Sequence, residues 1–239
     1  MKITTVLFDL DGTLLPMDQN VFIKTYFGGL ARRLAPYGYE PQKLIDSIWQ
    51  GTAAMVKNNG EVTNEERFWN GFEAAYGRPA RQDEEHFAAF YREDFDKVSS
   101  SCGYTPAARA IVDTAKACGL RTALATNPIF PAIATERRIA WTGLSTSDFE
   151  LVTTYENSRF CKPNLNYYRD VMQALGVCPE ECLMVGNDVG EDMIAEALGC
   201  RVFLLTDCII NPKSKDISAY PNGSYEDLMA FIKQLNTNE

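Results

Sequence analysis

Short apolar segments alternate with helical patterns along most of this 239-residue chain, and this alternation limits the possible folds more than any other feature. The predicted strands cover residues 3–8, 120–126, 150–154, 182–186 and 201–206. Helical patterns between and after them cover residues 105–118, 131–141, 165–175, 191–198 and 225–235. Strands that alternate with helices build βαβ units, whose parallel sheet is buried on both faces. The sequence therefore predicts an α/β fold with a doubly wound parallel sheet.

The alternation is interrupted between the first two predicted strands, where residues 16–100 contain helical patterns only. A strand and its following helix are usually joined by about two to six residues, so this interval is an insertion. Apolar stripes predict helices over residues 21–34, 41–56, 63–76 and 84–95, and Thr63 and Glu66 have the spacing of a capping box. We expect residues 1–15 and 101–239 to form the core domain and residues 16–100 an inserted helical domain.

Charge and cysteine content narrow the possible partners and the compartment. The chain has 23 Lys and Arg against 32 Asp and Glu, a net charge of −9. Broad binding of nucleic acid or of an anionic membrane requires a basic surface, so neither partner is expected. Seven cysteines scattered through apolar segments fit reduced thiols, and no apolar run approaches the roughly eighteen residues of a membrane span. We therefore expect a cytoplasmic protein, with a monomer as its simplest oligomeric state.

Polar side chains follow several of the predicted strands directly. Asp9 and Asp11 follow the first strand, Thr126 and Asn127 the second, and Asp188 follows the strand at 182–186. In open α/β sheets, ligands bind at the carboxyl ends of the strands, near the point where the strand order reverses. These side chains are therefore expected to lie together at one edge of the sheet.

This set of residue types suits chemistry on a phosphate ester. An aspartate is ionised at pH 7 and can attack phosphorus without a separate base, whereas the one histidine, His86, lies inside the insertion. Several carboxylates and a phosphate repel each other, and Mg²⁺ with oxygen ligands cancels that repulsion. Lys162 adds a positive charge, and Thr126 and Asn127 can donate hydrogen bonds to phosphoryl oxygens.

Four motifs, in order along the chain, resemble those of the haloacid dehalogenase-like superfamily. They are Asp9-x-Asp11-Gly12-Thr13, Thr126-Asn127, Lys162-Pro163 and Gly186-Asn187-Asp188-x-x-x-Asp192. The resemblance covers the whole chain and implies a phosphatase in which the insertion is a helical C1 cap. It implies a Mg²⁺-dependent phosphomonoester hydrolase that acts on a small phosphorylated metabolite through an aspartyl-phosphate intermediate.

The resemblance also implies a role for each matching residue. Asp9 would be the nucleophile, and Asp11 would protonate the leaving oxygen and then deprotonate the attacking water. Thr126, Asn127 and Lys162 would bind the substrate phosphate. Asp9, the main-chain carbonyl of Asp11 and one residue of the acidic loop would hold Mg²⁺.

The acidic loop departs from the commonest pattern of the family. Asn187 stands directly after Gly186, where many members have Asp, and Asp188 comes one position later. The direct metal ligand is therefore either Asp188 or the side-chain carbonyl of Asn187. We favour Asp188 as the ligand. Asn187 would support it without binding the metal, and Asp192 would do the same or lie near Lys162.

Simpler structural roles and other functions compete with this interpretation. Asp9 and Asp11 suit a turn after a strand, and Asp188 suits the start of a helix. Such local roles do not explain why four motifs occur in this order. A side chain such as His86, beside an aromatic stripe, is expected to be a packing residue. Asp11 favours phosphate esters over halides, since a departing halide needs no proton. A phosphomutase and a non-catalytic phosphate-binding protein remain the alternatives.

Overall fold

The computed structural model of the protein describes residues 2–235, which form a parallel sheet flanked by helices. The strands are β1 (Thr5–Phe8), β2 (Arg121–Leu124), β3 (Cys182–Gly186), β4 (Arg201–Leu205) and β5 (Asn222–Gly223). The helices are α1 (Gln19–Leu34), α2 (Pro41–Val56), α3 (Asn64–Tyr76), α4 (Glu84–Glu93), α5 (Ala107–Ala117), α6 (Ala132–Trp141), α7 (Leu165–Leu175) and α8 (Tyr225–Gln234). Short 3-10 helices lie at Ala35–Tyr37, Arg81–Asp83, Phe95–Ser101, Thr146–Asp148, Pro179–Glu181 and Met193–Leu198.

The sheet has the order β2-β1-β3-β4-β5, and every neighbouring pair is parallel. In the register of its centre, Thr5 of β1 lies opposite Arg121 of β2 on one side and Cys182 of β3 on the other. The chain moves outward from β1 in both directions, so the strand order reverses at the end of β1. The predicted α/β fold with a parallel sheet is confirmed.

Alternate residues of the strands pack against helices on opposite faces of the sheet. Val6 and Phe8 belong to a buried cluster with apolar residues of α5 and α8. Leu7 points to the other face, where it packs with residues of α7 such as Tyr168 and Val171. Since neighbouring side chains of a strand point to opposite faces, the continuous apolar run of β1 reflects burial on both sides.

The strand predicted over residues 150–154 is wrong. The segment runs beside β2, but its pairing amounts to one isolated parallel bridge between Leu124 and Val152. The Leu124 N–H donates to the Leu151 carbonyl and the Thr153 N–H to the Leu124 carbonyl. The next rung is missing because the Tyr155 N–H donates to the Phe130 carbonyl, 3.1 Å away. The segment is therefore a loop that borders the sheet.

Two other elements differ from the sequence prediction. Residues 193–198 form a 3-10 helix in place of the α-helix expected over 191–198. This short helix ends at Gly199, which has a φ of 102°. The short β5 was not expected, because two residues cannot show a periodic pattern. No helix among residues 2–235 is both long and apolar enough to cross a membrane.

Helices α1 to α4 share an aromatic core of their own. Phe22, Tyr26, Phe72 and Phe90 are buried in one cluster to which α1, α2, α3 and α4 all contribute. The cluster also reaches α6, whose Trp141 ring lies 4.9 Å from that of Phe95, centroid to centroid. Among the described residues, this core meets the sheet side of the molecule through α6 and neighbouring loops.

The histidine behaves as expected for a packing residue. His86, on α4, is partly buried and stacks on the Tyr37 ring with 3.6 Å between the ring centroids. It therefore belongs to the packing of the helices.

Candidate active site

A buried ion-pair cluster lies at the carboxyl end of β1. The Lys162 ammonium donates to Asp9 Oδ1 at 2.9 Å and to Asp192 Oδ1 at 2.6 Å. Asp9 directly follows β1, Lys162 precedes α7, and Asp192 follows the loop after β3. The Lys162 side chain is only 1% exposed, so both of these ion pairs are shielded from water.

The charges of this cluster depend on one another. Burial alone would lower the pKa of Lys162, but the Asp192 and Asp9 carboxylates hold it well above its ordinary value. Burial raises the pKa of Asp192 to about 7, against the opposing effect of the Lys162 charge. Lys162 thus remains a cation at neutral pH, next to the carboxylate of Asp9.

A tight turn places Asp9 against the loop after β3. Thr13 Oγ1 lies 3.1 Å from Asp9 Oδ2 and 3.1 Å from Asn187 Oδ1, and can donate to either. The turn needs Gly12, which has a φ of 84°, and a Cβ there would overlap the side-chain amide of Asn187. Asn187 is held in turn by a hydrogen bond from its Nδ2 to the Cys208 carbonyl at 2.6 Å.

Hydrogen bonds within the acidic loop fix the side chain of Asp188. Its Oδ1 accepts from the main-chain N–H groups of Gly190 at 2.6 Å and Glu191 at 2.9 Å. Asp192 Oδ2 accepts from the Asp188 N–H at 2.9 Å, which ties this loop to the Lys162 cluster. Within residues 2–235, Asp188 Oδ2 accepts no hydrogen bond and is available to another ligand.

The loop after β2 brings Thr126 and Asn127 to the same edge of the sheet. Thr126 is buried, and its carbonyl accepts from the hydroxyls of Thr153 and Tyr167, so its position is rigidly defined. Asn127 Nδ2 donates to Glu191 Oε2 at 2.9 Å. Burial raises the pKa of Glu191 to about 7, with Lys162 opposing the shift.

Two side chains in this site were not singled out from the sequence. One is Glu191, for which the sequence offers only its place at the beginning of the helix predicted over 191–198. The other is Arg138 of α6, a fully buried residue whose guanidinium forms an ion pair with Asp11 Oδ2. The guanidinium also stacks over the Phe130 ring, 4.4 Å from its centroid. A charged residue within a helical apolar stripe was the available hint, but the pattern does not say which carboxylate it meets.

Arg138 gives Asp11 an environment different from that of Asp9. Burial raises the pKa of Asp11, and the Arg138 charge opposes that rise. The Asp11 side chain is 23% exposed, yet its Oδ1 is buried and has no hydrogen-bond partner among the described residues. Asp11 therefore has one oxygen fixed by Arg138 and one available for a proton.

The carboxylate and carbonyl oxygens at this edge of the sheet are suitable ligands for a Mg²⁺ ion. Besides Asp188 Oδ2, the main-chain carbonyl of Asp11 accepts no hydrogen bond from the described residues, and Asp9 lines the same cavity as Asp11 and Asp188. Within residues 2–235 no group of three or more His, Cys, Asp or Glu side chains is arranged as a metal site. Two carboxylates and one carbonyl, completed by water and phosphate, are nevertheless the usual protein contribution to Mg²⁺ binding.

A cavity of about 310 Å³ opens directly onto these residues. One side, here called the sheet wall, contains Asp9, Asp11, Thr126, Asn127, Asn187, Asp188, Glu191 and Asp192. The opposite side, here called the helical wall, consists of the cavity-lining residues of α1 to α4, among them Phe22, Tyr26, Trp49, Phe68, Trp69 and Tyr91. The cavity therefore lies between the inserted helices and the carboxyl edge of the sheet, where ligands of such folds bind.

Comparisons with known proteins agree with this architecture. Residues 3–199 match the family model of haloacid dehalogenase-like hydrolases. The chain is 24% identical to hexitol phosphatase A of Escherichia coli K12 over 219 residues, which span 91% of this chain and 89% of that protein.

Solved structures share the fold at low sequence identity. A HAD phosphatase from Thermococcus onnurineus superposes with a TM-score of 0.60 at 17% identity, covering 96% of this chain and 98% of that one. CbbY from Rhodobacter sphaeroides, in complex with phosphate, superposes with a TM-score of 0.55 at 16% identity, covering 92% of each chain. With the family match over most of the sequence, this chain belongs to the haloacid dehalogenase-like hydrolases and is an enzyme of their phosphatase type.

Proposed function

We propose that the protein is a Mg²⁺-dependent phosphomonoester hydrolase that uses Asp9 as its nucleophile and acts on a small phosphorylated metabolite. The observation that carries the proposal is the contact of the buried Lys162 ammonium with the carboxylate of Asp9, which itself lines the cavity. A fixed cation beside a fixed carboxylate can attract the phosphate and hold it in line for attack.

Asp9 is suited to nucleophilic attack. Lys162 and Thr13 fix its two oxygens and leave little rotational freedom to lose in the reaction. One oxygen of Asp9 attacks phosphorus, the bond to the leaving alcohol breaks, and an aspartyl-phosphate forms. Thr126 and Asn127 stand beside this position and can donate hydrogen bonds to the phosphoryl oxygens.

Asp11 is suited to transfer protons in both halves of the reaction. Its unpartnered Oδ1 gives a proton to the leaving oxygen and later takes one from the water that attacks the aspartyl-phosphate. Arg138 favours the ionised form of Asp11, which is the form that accepts the proton of water. Formation of the protonated form requires this ion pair with Arg138 to loosen.

The metal would be held by Asp9, the main-chain carbonyl of Asp11 and Asp188. When bound, Mg²⁺ neutralises charge on the phosphate and on the carboxylates that surround it. The Asn187 side chain is already held by the bond from its Nδ2 to the Cys208 carbonyl, whereas Asp188 Oδ2 accepts no hydrogen bond from the described residues, which favours Asp188 as the direct ligand. Asp192 serves this arrangement indirectly, by holding Lys162 and the Asp188 main chain.

The helices within residues 16–100 would act as a cap domain over a core of residues 1–15 and 101–239. Their aromatic core is separate from the two clusters that cover the sheet, and their side chains form the helical wall of the cavity. Such a cap excludes bulk water from the reacting phosphate and limits access to small molecules.

Replacement of the nucleophile tests the proposal directly. We expect Asp9→Asn to lower Mg²⁺-dependent phosphate release from acetyl phosphate by at least about 10⁴-fold, because the amide cannot attack phosphorus. Asp113→Asn, which changes an exposed residue of α5, is the matched control and should retain full activity. Equal activity of Asp9→Asn and the wild type would disprove the proposal.

A second variant identifies the intermediate. In Asp11→Ala, acetyl phosphate can still phosphorylate Asp9 because acetate leaves without a proton, but hydrolysis of the intermediate loses its base. Mass spectrometry of acid-quenched protein should find one phosphoryl group on Asp9. An unmodified Asp9, with phosphate still released, would exclude a covalent intermediate.

The phosphomutase alternative predicts a different product from the same residues. A mutase returns the phosphoryl group to a second hydroxyl of the substrate, so a sugar phosphate would give an isomer, whereas a hydrolase gives free phosphate. Incubation of the protein with glucose 1-phosphate and Mg²⁺, followed by phosphorus NMR, distinguishes the two. A non-catalytic binding protein would give neither product.

A further inference from the structure

The two sides of the cavity differ completely in charge. The sheet wall contributes five carboxyl groups, from Asp9, Asp11, Asp188, Glu191 and Asp192. In the described structure, none of the α1 to α4 residues that form the helical wall is charged. The phosphate of a substrate can therefore be bound only at the sheet wall, and the helical wall meets the remainder of the molecule.

Cations that could bind a second anionic group of the substrate are not free. Lys162 is shared between Asp9 and Asp192, and Arg138 is paired with Asp11. A carboxylate or second phosphate facing the helical wall would lose its water without gaining a partner, which is strongly unfavourable. The part of the substrate opposite the phosphate therefore carries no second anionic group.

The helical wall has few free polar groups, and the Gln19 amide and the Thr52 hydroxyl are the lining side chains of α1 and α2 that make no hydrogen bond in the described structure. The Tyr26 and Tyr91 hydroxyls are 2.8 Å apart and hydrogen-bond to each other, which leaves one O–H donor of the pair for a ligand. Aromatic rings form much of the remaining surface, including Phe22, Trp49 and Phe68. A molecule with many hydroxyls would leave most of them without hydrogen bonds here, whereas an apolar ring would gain from burial.

One fully buried polar atom of the helical wall, the indole nitrogen of Trp69, has no hydrogen-bond partner in the described part of the chain. Trp69 is 4% exposed, and its indole N–H has no hydrogen-bond acceptor of good geometry within residues 2–235. It faces the Tyr155 hydroxyl. Burial raises the pKa of Tyr155, and the indole opposes this rise in part. A single acceptor on the ligand would satisfy this N–H group.

We propose that the substrate is the monophosphate of a compact and largely apolar alcohol without a second anionic group, whose ring or hydrocarbon part packs on the helical wall and which carries at most a few polar atoms. This inference rests on the proposed phosphatase function. The cavity of about 310 Å³ is at the small end of ligand pockets and suits an alcohol with one ring. The reaction converts the ester and water into the free alcohol and inorganic phosphate.

Two substrates with the same six-membered ring skeleton test the inference. Cyclohexylmethyl phosphate lacks the ring oxygen and the hydroxyls of glucose 6-phosphate but places its phosphate in the same way. We expect kcat/KM for cyclohexylmethyl phosphate to be about 100-fold higher, since an apolar pocket discriminates against hydroxyls to roughly this extent. Equal values, or a preference for glucose 6-phosphate or for sorbitol 6-phosphate, would overturn the inference.

Two further measurements separate this inference from the proposed function. Acetyl phosphate is small enough to react without contact to the helical wall, so its Mg²⁺-dependent hydrolysis reports on the proposed function alone. Binding of the two ring phosphates to Asp9→Asn, measured by calorimetry, reports on the preference without turnover. Preferential binding of cyclohexylmethyl phosphate supports the inference even if hydrolysis fails, and equal binding contradicts it.

A pair of variants locates the preference on the helical wall. Trp49 is 46% exposed and lines the cavity, so Trp49→Ala should fold and should reduce the cyclohexylmethyl preference about tenfold. Tyr104 is 69% exposed and lies outside the cavity, so Tyr104→Ala should leave the preference unchanged. An unchanged preference in Trp49→Ala would show that the helical wall does not select the substrate.

Discussion

The sheet wall and the helical wall enclose one cavity but are built on opposite physical principles. The sheet wall concentrates carboxylates around one buried ammonium. Burial of these charges costs desolvation energy, and the arrangement is stable only while each charge keeps its partner. The helical wall continues an aromatic core, whose stability comes from apolar burial and tolerates change in small steps. Reactivity and recognition can therefore be altered separately, and the following variants test that separation.

The largest effect is expected at the centre of the sheet wall. Lys162→Met should reduce kcat/KM by about 10³-fold, because the phosphate loses its fixed cation. It should also lower the free energy of unfolding by about 3 kcal/mol, because Asp9 and Asp192 are left buried without their partner. Steady-state kinetics and urea denaturation measure the two effects.

Lys116 provides the matched control for Lys162. Its side chain is 39% exposed and pairs with Asp148 at the surface, far from the cavity lining. Lys116→Met should therefore leave kcat/KM unchanged and alter stability by less than about 1 kcal/mol. A similar loss in both lysine variants would mean that burial of Lys162 has no special importance.

The next effect tests whether the helices and the sheet are separate units. Phe72 is fully buried in the aromatic core, so Phe72→Ala should cost about 3–5 kcal/mol of local stability. Hydrogen exchange should accelerate in α2 and α3 while the amides of β1 and β3 keep their protection. Equal loss of protection in both regions would argue against a separate domain at residues 16–100.

A smaller effect is expected for Arg138, which lies where the two walls meet. Arg138→Met should lower kcat about tenfold with little change in KM, since Arg138 positions Asp11 and does not line the cavity. Arg138→Lys should restore part of the activity, because a cation again faces Asp11. If the methionine variant raises KM and leaves kcat unchanged, Arg138 acts on binding and the positioning role is wrong.

The smallest effect concerns an ion pair outside both walls. Hydrogen bonds from Arg109, followed by those from Lys116 and the Ser145 N–H, hold the pKa of Asp148 well below its usual range. A lowered pKa in the folded state stabilises the protein above the unfolded pKa of about 3.9, and this contribution disappears as the pH falls below it.

Asp148→Asn should therefore lose about 1 kcal/mol at pH 7, and the difference from the wild type should shrink below about pH 4. Thermal unfolding across that pH range measures the change, with Asp113→Asn as the exposed control. A difference that stays constant with pH would show that the carboxylate charge is not the cause.

The chemistry of the sheet wall was largely predictable from sequence, because it depends on residues that follow strands. Asp9, Thr126 and Asp188 each stand directly after or close behind an apolar run, and parallel strands bring such positions to one edge. The structure places Lys162 between Asp9 and Asp192, although 153 residues separate Lys162 from Asp9 and 30 from Asp192. Motif order, not local pattern, indicated that contact.

The character of the helical wall could not be predicted in the same way. An apolar stripe shows that Trp49 and Trp69 lie on a buried side of their helices, but not whether that side meets other helices or a cavity. The pairing of Arg138 with Asp11 joins a helix to a strand end 127 residues away, and no local pattern encodes it. The loop at 150–154 was misassigned because its alternation resembles that of an edge strand.

The position of α6 has a mechanical consequence. Its residues reach the inserted helices through Trp141, which donates to Asp96 at 3.0 Å, and the nucleophilic edge through Arg138 on Asp11. If the inserted helices moved away as a rigid body about their two connections to the sheet, the Phe95 and Trp141 rings would separate and become exposed to water. Such a movement would also displace α6, whose Arg138 positions the carboxylate of Asp11. Entry of a ligand and the position of Asp11 would therefore be coupled.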